Sequence, residues 1–470
     1  MNKSTFATPR RRRNRRSADS LLRDFAAAGS GTRTRRCELR CAWPARTQPG
    51  RRLECCLTTV LALAILTACL ETVAAQEADA KLSTCFTEYL EEHFRQRPLE
   101  ATQLGEHRFD HLLDDLSGKA REGWLAHARR VLRELPKRVR YAELSRAGQI
   151  DFEIFRHDLI RTIWLAENTH PFEEDPRTYN AYLNDSVYLL LAQSTLPKET
   201  NVANSIARMA QIPKVVGAAK ENLRNPPRPI LETAIRQNRG AIAFYEKGLF
   251  ELAGQTRQLG ALKAAAAPVA ALLRDYQTFL EGELMSRANG DWRLGRRKFA
   301  RKLELVLDAG LTADEVLADA QAEFARVRRD MYVIARQLWS RYYPNVPMPP
   351  DDEEGRRHTI ARVSDAIGRE HGKPEELVAD ARATVDRIKT FIRERNILRL
   401  PDPDRCQVIE MPEFKRGNSL AYLESAPPLE PEAVSFYAIS PASVRPVSTR
   451  RRNASSKSSE FCRRPLPRTG

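Results

Sequence analysis

Several common chemistries lack the residues they need in this chain. No GxGxxG and no GxxxxGK[ST] occurs among the 470 residues, so a backbone cradle for phosphate has no support. GxSxG is missing, which removes the strained serine elbow of the α/β hydrolases. HExxH is missing as well, so no helix presents two imidazoles and a glutamate base to a zinc ion. Long apolar runs are also wanting. The best, Leu57–Leu70, has fourteen apolar or small residues, short of the roughly twenty that cross a bilayer.

Basic charge is absent where a nucleic-acid surface would need it. The formal net charge is +16, but residues 1–56 hold 15 Lys+Arg against 4 Asp+Glu, and residues 441–470 hold 8 against 1. Residues 57–440 therefore carry 54 basic and 56 acidic groups. Non-specific affinity for nucleic acid comes from clustered Lys and Arg, so none is expected of the body. Cysteine follows the same partition. Cys37, Cys41, Cys55, Cys56 and Cys69 precede residue 76 and Cys462 lies in the tail, which leaves the body Cys85 and Cys406. Two cysteines make no disulfide framework, and the simpler reading is two unpaired thiols. Cys37 and Cys41 have neither a second pair nor a nearby histidine, which argues against a zinc knuckle.

What is there begins with a leader. Arg51-Arg52, the run LTTVLALAILTACL and the small-residue exit Val73-Ala74-Ala75 have the three parts of a secretory signal over 51–76. Cleavage near Ala75 fits best, which implies a secreted or periplasmic product. Leu66-Thr67-Ala68-Cys69 offers the alternative of a lipobox with a lipid on Cys69, and an uncleaved anchor is the third reading. The membrane is expected to be met only through this leader or lipid. Residues 1–50 have no apolar periodicity and cannot bury a core; they read as a disordered basic extension, or as upstream sequence preceding a start near Leu53 to Val60.

From about residue 80 to 400 apolar residues recur at helical steps. Thr312 to Glu315 reads as a capping box. Leu317, Ala320, Phe324, Val327, Met331, Ile334 and Leu338 then share one face, which is expected to be buried. The same pattern predicts helices near 81–95, 118–134, 143–168, 179–193, 199–225, 229–252, 256–288, 294–308 and 374–396. CQVIEM (406–411) and VSFYAI (434–439) are the strand candidates. The expectation is an all-α fold over 77–441, with a small β element near 405–440.

Candidate sites are few. His107 and His111 would share a helical face with Asp110 between them, which is ligand spacing. The surrounding LGEHRFDHLLDDLSG is turn-rich, however, and caps and turn bonds are the commoner use of His and Asp there. The acidic clusters Asp114-Asp115, Asp351 to Glu354 and Glu375-Glu376 read as helix starts or solvated faces. The segment MPEFKRGNSLAYLESAPPLEP (411–431) cannot be one helix, because its prolines lack the N–H and clash with the preceding turn. Gly417 suits a turn or a close backbone approach. Arg416, Asn418 and Tyr422 are candidates to line a cleft as donors to a peptide, with turn-stabilising bonds as their alternative role.

Four stretches, taken together, resemble the bacterial domain-of-unknown-function family 885. They are LGEHRFDHLLDDLS (104–117), YNAYLNDSVYLLL (179–191), the pair of helices over 206–246, and MPEFKRGNSLAYLESAPPLEP followed by FYAISP (436–441). The resemblance implies a mainly helical, secreted protein related to zinc metallopeptidases. In complete members it implies a zinc site of the form HExxPGH some tens of residues after FYAISP. No such motif follows here, and residues 442–470 are rich in Arg, Ser and Pro. The reading frame is expected to shift near Pro441, making 442–470 a disordered basic tail. The chain then has no catalytic residues, no metal ligands and no cofactor of its own, and is a truncated, inactive member. The alternative is a non-enzymatic helical protein that binds a peptide or an envelope partner.

Overall fold

The computed structural model describes residues 51–441, with side chains from residue 74. The extension over 1–50 and the tail over 442–470 lie outside the described residues, as does the side chain of Cys69. The chain divides between Ala68 and Cys69, and the account below concerns the part from Cys69 onward. No helix among the described residues is long and apolar enough to cross a membrane.

The body is helical, as the periodicity predicts. The elements are α1 (Arg51–Gln96), α2 (Pro98–Leu104), α3 (Gly118–Arg138), α4 (Arg146–Asn168), α5 (Pro171–Glu174), α6 (Pro176–Ala192), α7 (Lys198–Met209) and α8 (Ile212–Asn222). They continue with α9 (Arg228–Ala243), α10 (Leu249–Ala253), α11 (Leu259–Phe279), α12 (Arg296–Leu307), α13 (Ala313–Tyr342), α14 (Glu353–Ile367) and α15 (Leu377–Arg395). Short polar side chains start many of them by accepting the free backbone N–H groups of the first turn. Ser117, Ser145 and Asp175 do so for α3, α4 and α6, and the Thr312/Glu315 capping box opens α13. The single helix expected over 199–225 is two, because Pro213 has no N–H to continue α7 and fits the first turn of α8 instead. The helices expected over 229–252 and 256–288 each contain a π-helical turn, Phe244–Gly248 and Leu280–Leu284. The acidic cluster at 351–354 starts α14, where Asp352 caps the N–H of Gly355.

Three strands follow: β1 (Cys406–Glu410), β2 (Ala421–Glu424) and β3 (Ser435–Ile439). Their order is β1-β3-β2, with β1 parallel and β2 antiparallel to β3. The middle of the proline-rich segment thus contains a short strand, β2, that sequence periodicity did not separate from its loop. Cys85 is buried and Cys406 exposed, and neither is bonded to another cysteine.

The main core is built around α6, α7, α8, α9 and α11, and Phe414 enters it edge-on to Tyr188 and Phe244, with ring centroids 5.5 and 5.1 Å apart. α6 is buried along most of its surface: Tyr179, Leu183, Val187 and Leu190 are all fully buried, while Ala181 is exposed. A smaller cluster joins α1, α3 and α4 through Leu82, Cys85, Leu135 and Phe152. One expectation fails here. The α13 face meant for the interior is largely open: Leu317, Phe324, Val327, Met331 and Ile334 are 40–67% exposed, and burial begins only at Ala335 and Trp339 against Val363 of α14. Periodicity names the face a helix would bury, but a partner must still be present, and among the described residues α14 covers only the last turns.

This contrast is measurable in urea melts. Leu183→Ala is expected to cost about 2–5 kcal/mol, the usual price of a core cavity. Phe324→Ser should stay within roughly 0.5 kcal/mol, as for other exposed positions. A loss above about 1.5 kcal/mol for Phe324→Ser would mean that the α13 face is covered in solution.

Candidate functional site

α6 is mostly buried, so the polar residues it carries are conspicuous. Asn180, Asn184 and Asp185 sit at i, i+4 and i+5, on one side of the helix. They line a cleft of about 320 Å³, together with Gln237 of α9 and Lys415, Asn418, Tyr422 and Glu424 from the proline-rich segment. Gly240 lets that segment approach. A Cβ at this position would lie 2.6 Å from the Phe414 nitrogen, so only glycine admits the strand-bearing chain against α9. Gly417 has a φ of +100°, the left-handed region that a turn here requires.

Both asparagines are fully committed on one side only. Asn180 donates Nδ2–H to the Ala234 carbonyl at 2.9 Å, and Asn184 donates to the Asn180 carbonyl at 2.7 Å. These bonds fix the amide orientation and leave both Oδ1 atoms as buried acceptors without a partner among the described residues, alongside the Tyr422 hydroxyl. Lys415 Nζ lies 3.2 Å from Asp185 Oδ1 and 2.9 Å from Glu424 Oε2, over the rings of Tyr188 and Tyr422. Burial alone would depress the Lys415 ammonium, but Asp185 and Glu424 outweigh it and hold the group above lysine's usual range. Burial pushes the Tyr188 hydroxyl up to about 12. The result is an ammonium held between the Asp185 and Glu424 carboxyl groups, beside the neutral Asn180 and Asn184 acceptors.

Of the residues singled out from sequence, Asn418 and Tyr422 line the cleft. Arg416 does not. Its Nε donates to the Met411 carbonyl at 3.0 Å, and its guanidinium pairs with Glu410, so it closes the turn. Asn180, Asn184, Asp185, Lys415 and Glu424 escaped the sequence reading. The available signal was four polar residues, Asn180, Asn184, Asp185 and Ser186, inside the otherwise apolar YNAYLNDSVYLLL.

Behind the cleft runs a buried polar network. LGEHRFDH is not a helix with two histidines on one face; its centre, His107–Phe109, is a single 3₁₀ turn. His107 Nδ1 lies 2.6 Å from Asp110 Oδ2, and Nε2 forms an ion pair with Glu430 at 2.8 Å. Thr195 donates to the same Glu430 carboxylate. Asp110 also accepts from Thr102 at 2.6 Å, and Thr102 accepts from the fully buried Arg208 at 2.6 Å. The Asp110 hydrogen bond, opposed by burial and aided by Glu430, raises the His107 imidazolium to about 9. A zinc ligand must be a neutral imidazole with a free nitrogen, and His107 is neither. Among the described residues no group of three or more His, Cys, Asp or Glu is placed to hold a metal ion, so the zinc implied for complete family members finds no fitting donor set.

The four stretches that carry the family resemblance therefore meet in space. Leu104–Ser117 brings His107 and Asp110, and Tyr179–Leu191 brings the acceptors of α6. The helices over 206–246 bring Arg208, Gln237 and Gly240, and the segment from Met411 brings Lys415, Tyr422 and Glu430. The family described as bacterial protein of unknown function (DUF885) matches residues 98–458. The chain belongs to this family. Among solved structures, "a putative lipoprotein of unknown function" from Shewanella oneidensis is similar to it, with a TM-score of 0.57 and 20% identity over 80% of this chain and 67% of that one. At that identity the family member and its neighbour share a fold. No curated protein matches the chain.

The His107 network has a pH signature. Because the folded value lies above the ordinary 6.5, its stabilisation is complete below about 6.5 and is lost as pH rises through about 9. The expected outcome is that His107→Gln destabilises by on the order of 2 kcal/mol at pH 6 and by much less at pH 10. Urea melts at the two pH values check this, and an equal effect at both would refute it.

Proposed function

We propose that this domain binds an extended peptide in the α6–α9 cleft and, as the inactive family member expected from the sequence, does not hydrolyse it. The observation that carries the reading is the pair of partnerless carboxamide oxygens on Asn180 and Asn184. Four residues of helix rise about 6 Å. The backbone N–H groups on one side of an extended chain recur every two residues, about 6.6 Å apart. The two spacings agree within the reach of a side chain. A buried acceptor left without a donor costs about 1–3 kcal/mol, and a bound peptide backbone would relieve it at both positions. Asn418 and Tyr422 line the same cleft and can donate to the peptide's own carbonyls.

The chemistry of hydrolysis finds less support. The HExxPGH pattern implied for complete members is absent from the sequence, and the described donor sets do not fit zinc. Export through the 51–76 leader remains part of the proposal. The neighbour's description as a lipoprotein favours its lipid-anchored variant, with Cys69 as the acceptor, and this would place the cleft in the cell envelope.

The test uses the full chain and a pool of fluorescent eight-residue peptides read by fluorescence polarisation. Peptides that bind are then measured against Asn184→Leu and Gly240→Ala, with circular dichroism to confirm folding. Asn184→Leu should weaken binding by about 5- to 30-fold, the worth of one or two hydrogen bonds. Gly240→Ala should abolish binding by displacing Phe414. Unchanged affinity in both variants would remove the cleft from the argument. Stoichiometric zinc in the purified protein, with cleavage of the bound peptide seen by mass spectrometry, would overturn the non-hydrolysing reading.

A further inference from the structure

The larger cavity of the domain lies elsewhere, between α1, α3, α4 and α5, with a volume of about 520 Å³. Its walls are aromatic and aliphatic: Tyr89 from α1, Trp124 from α3, Leu165 from α4 and Phe172 from α5. Two guanidinium groups lie against these walls, Arg97 4.9 Å from the Trp124 centroid and Arg121 4.7 Å from that of Phe172. Such a volume with a few placed polar groups is typical of a small-molecule site.

The walls include the carboxylates of Glu122 and Glu173, but the buried polar atoms left without a partner there are of one kind. Arg121 donates Nη1–H to Glu173 at 2.7 Å, which leaves its buried Nε–H without an acceptor. His127 is 7% exposed and stacks on Tyr89 with ring centroids 5.4 Å apart. Arg130 lies 2.8 Å from its Nδ1. A guanidinium can only donate, so Nδ1 accepts and the ring proton sits on Nε2. That Nε2–H has no acceptor in hydrogen-bond geometry among the described residues. Burial, with Arg130, lowers the affinity of the ring for a second proton, and Glu92 and the Tyr89 carbonyl oppose this only in part. Arg97 Nε is also short of an aligned bond, though Glu100 lies 3.2 Å away and claims its charge. All three atoms are donors. In the α6 cleft the partnerless atoms are oxygens, so the two cavities ask for opposite ligands.

We propose that the α1/α3/α4/α5 cavity is a second binding site, for a flat aromatic molecule that carries an acceptor oxygen as a carboxylate or a carbonyl. The ring system occupies the space between Tyr89, Trp124 and Phe172, and the oxygen accepts from His127 Nε2, with Arg121 Nε a second donor farther along the same wall. This site is independent of the peptide cleft.

Isothermal titration of the full chain with three probes tests the assignment. The probes are 2-naphthoate, 2-acetylnaphthalene and 2-naphthylmethylammonium, which share a ring and differ in the polar group. The two acceptor probes should bind and the ammonium should not; a preference for carboxylate over ketone would identify the anion as the natural chemistry. His127→Phe keeps the stack on Tyr89 and removes the donor, and should weaken 2-naphthoate by about fivefold or more. Leu165→Trp fills the cavity and should abolish naphthoate binding while the protein still melts cooperatively. The proposal is overturned if no acceptor probe binds, if the ammonium binds equally well, or if both variants bind like the wild type.

Discussion

The structure turns on one buried cation. Arg208 is fully buried and cannot leave its charge unpaired, because removing a guanidinium from water without compensation costs far more than the domain's net stability. It is satisfied by geometry that only this fold provides. Its Nε donates to Leu112 O at 2.9 Å and its Nη1 to Ser186 O at 2.9 Å, while Nη2 reaches Thr102. Burial lowers it to about 10, against the pull of Asp110 and Asp114, so it stays charged at neutral pH. These contacts tie α7 to α2, to the loop after His107, and to the residue of α6 that follows Asp185. The register of the cleft acceptors is thus set from behind by a group that never touches the cleft.

The network continues outward through Thr102, Asp110 and His107 to Glu430. There it fastens the end of the proline-rich segment, helped by the bond from Leu429 N–H to Leu104 O at 3.0 Å. At its other end the segment is seated by Phe414 in the aromatic core and by the bare backbone of Gly240. An irregular chain is held at both ends while its middle, β2 and the turn at Gly417, faces the cleft. A partly satisfied polar network would be worse than an apolar core. Among the buried atoms without a partner, those lining the α6 cleft are oxygens and those lining the second cavity are N–H groups. The proposals of a peptide for one cavity and an aromatic acceptor for the other rest on that polarity.

Much of the helical architecture was legible in the residues. Thr312 was read as a helix start because its side chain bonds a first free N–H group, an interaction decided within four residues, and Ser117 and Ser145 cap their helices in the same way. Glycine and proline could be placed for the same local reason. The burial of α13 was misread, because Phe324 and Ile334 have the spacing of a core face but no described neighbour to bury it. Asn180 and Asn184 were passed over because a polar residue in an apolar helix does not say which of its atoms will be bonded. Arg416 and Asn418 stand two residues apart and look alike as donors, and only the turn at Gly417 sends one to Glu410 and the other to the cleft.

The sequence by itself determined the fold class, the partition of charge to the two ends, the family, and the absence of HExxPGH, since each of these depends on composition, local periodicity or an ordered run of residues. Only the tertiary structure decided that His107 is a doubly paired imidazolium instead of a metal ligand, and that three stretches far apart in the chain close one cleft. It also set the wall donors of the second cavity, Arg121 and His127, around one space. Hydrogen-bond satisfaction is a property of neighbours in space, and residues separated by 62 to 323 positions, as Tyr245 is from Leu183 and His107 from Glu430, become neighbours only when the chain has folded.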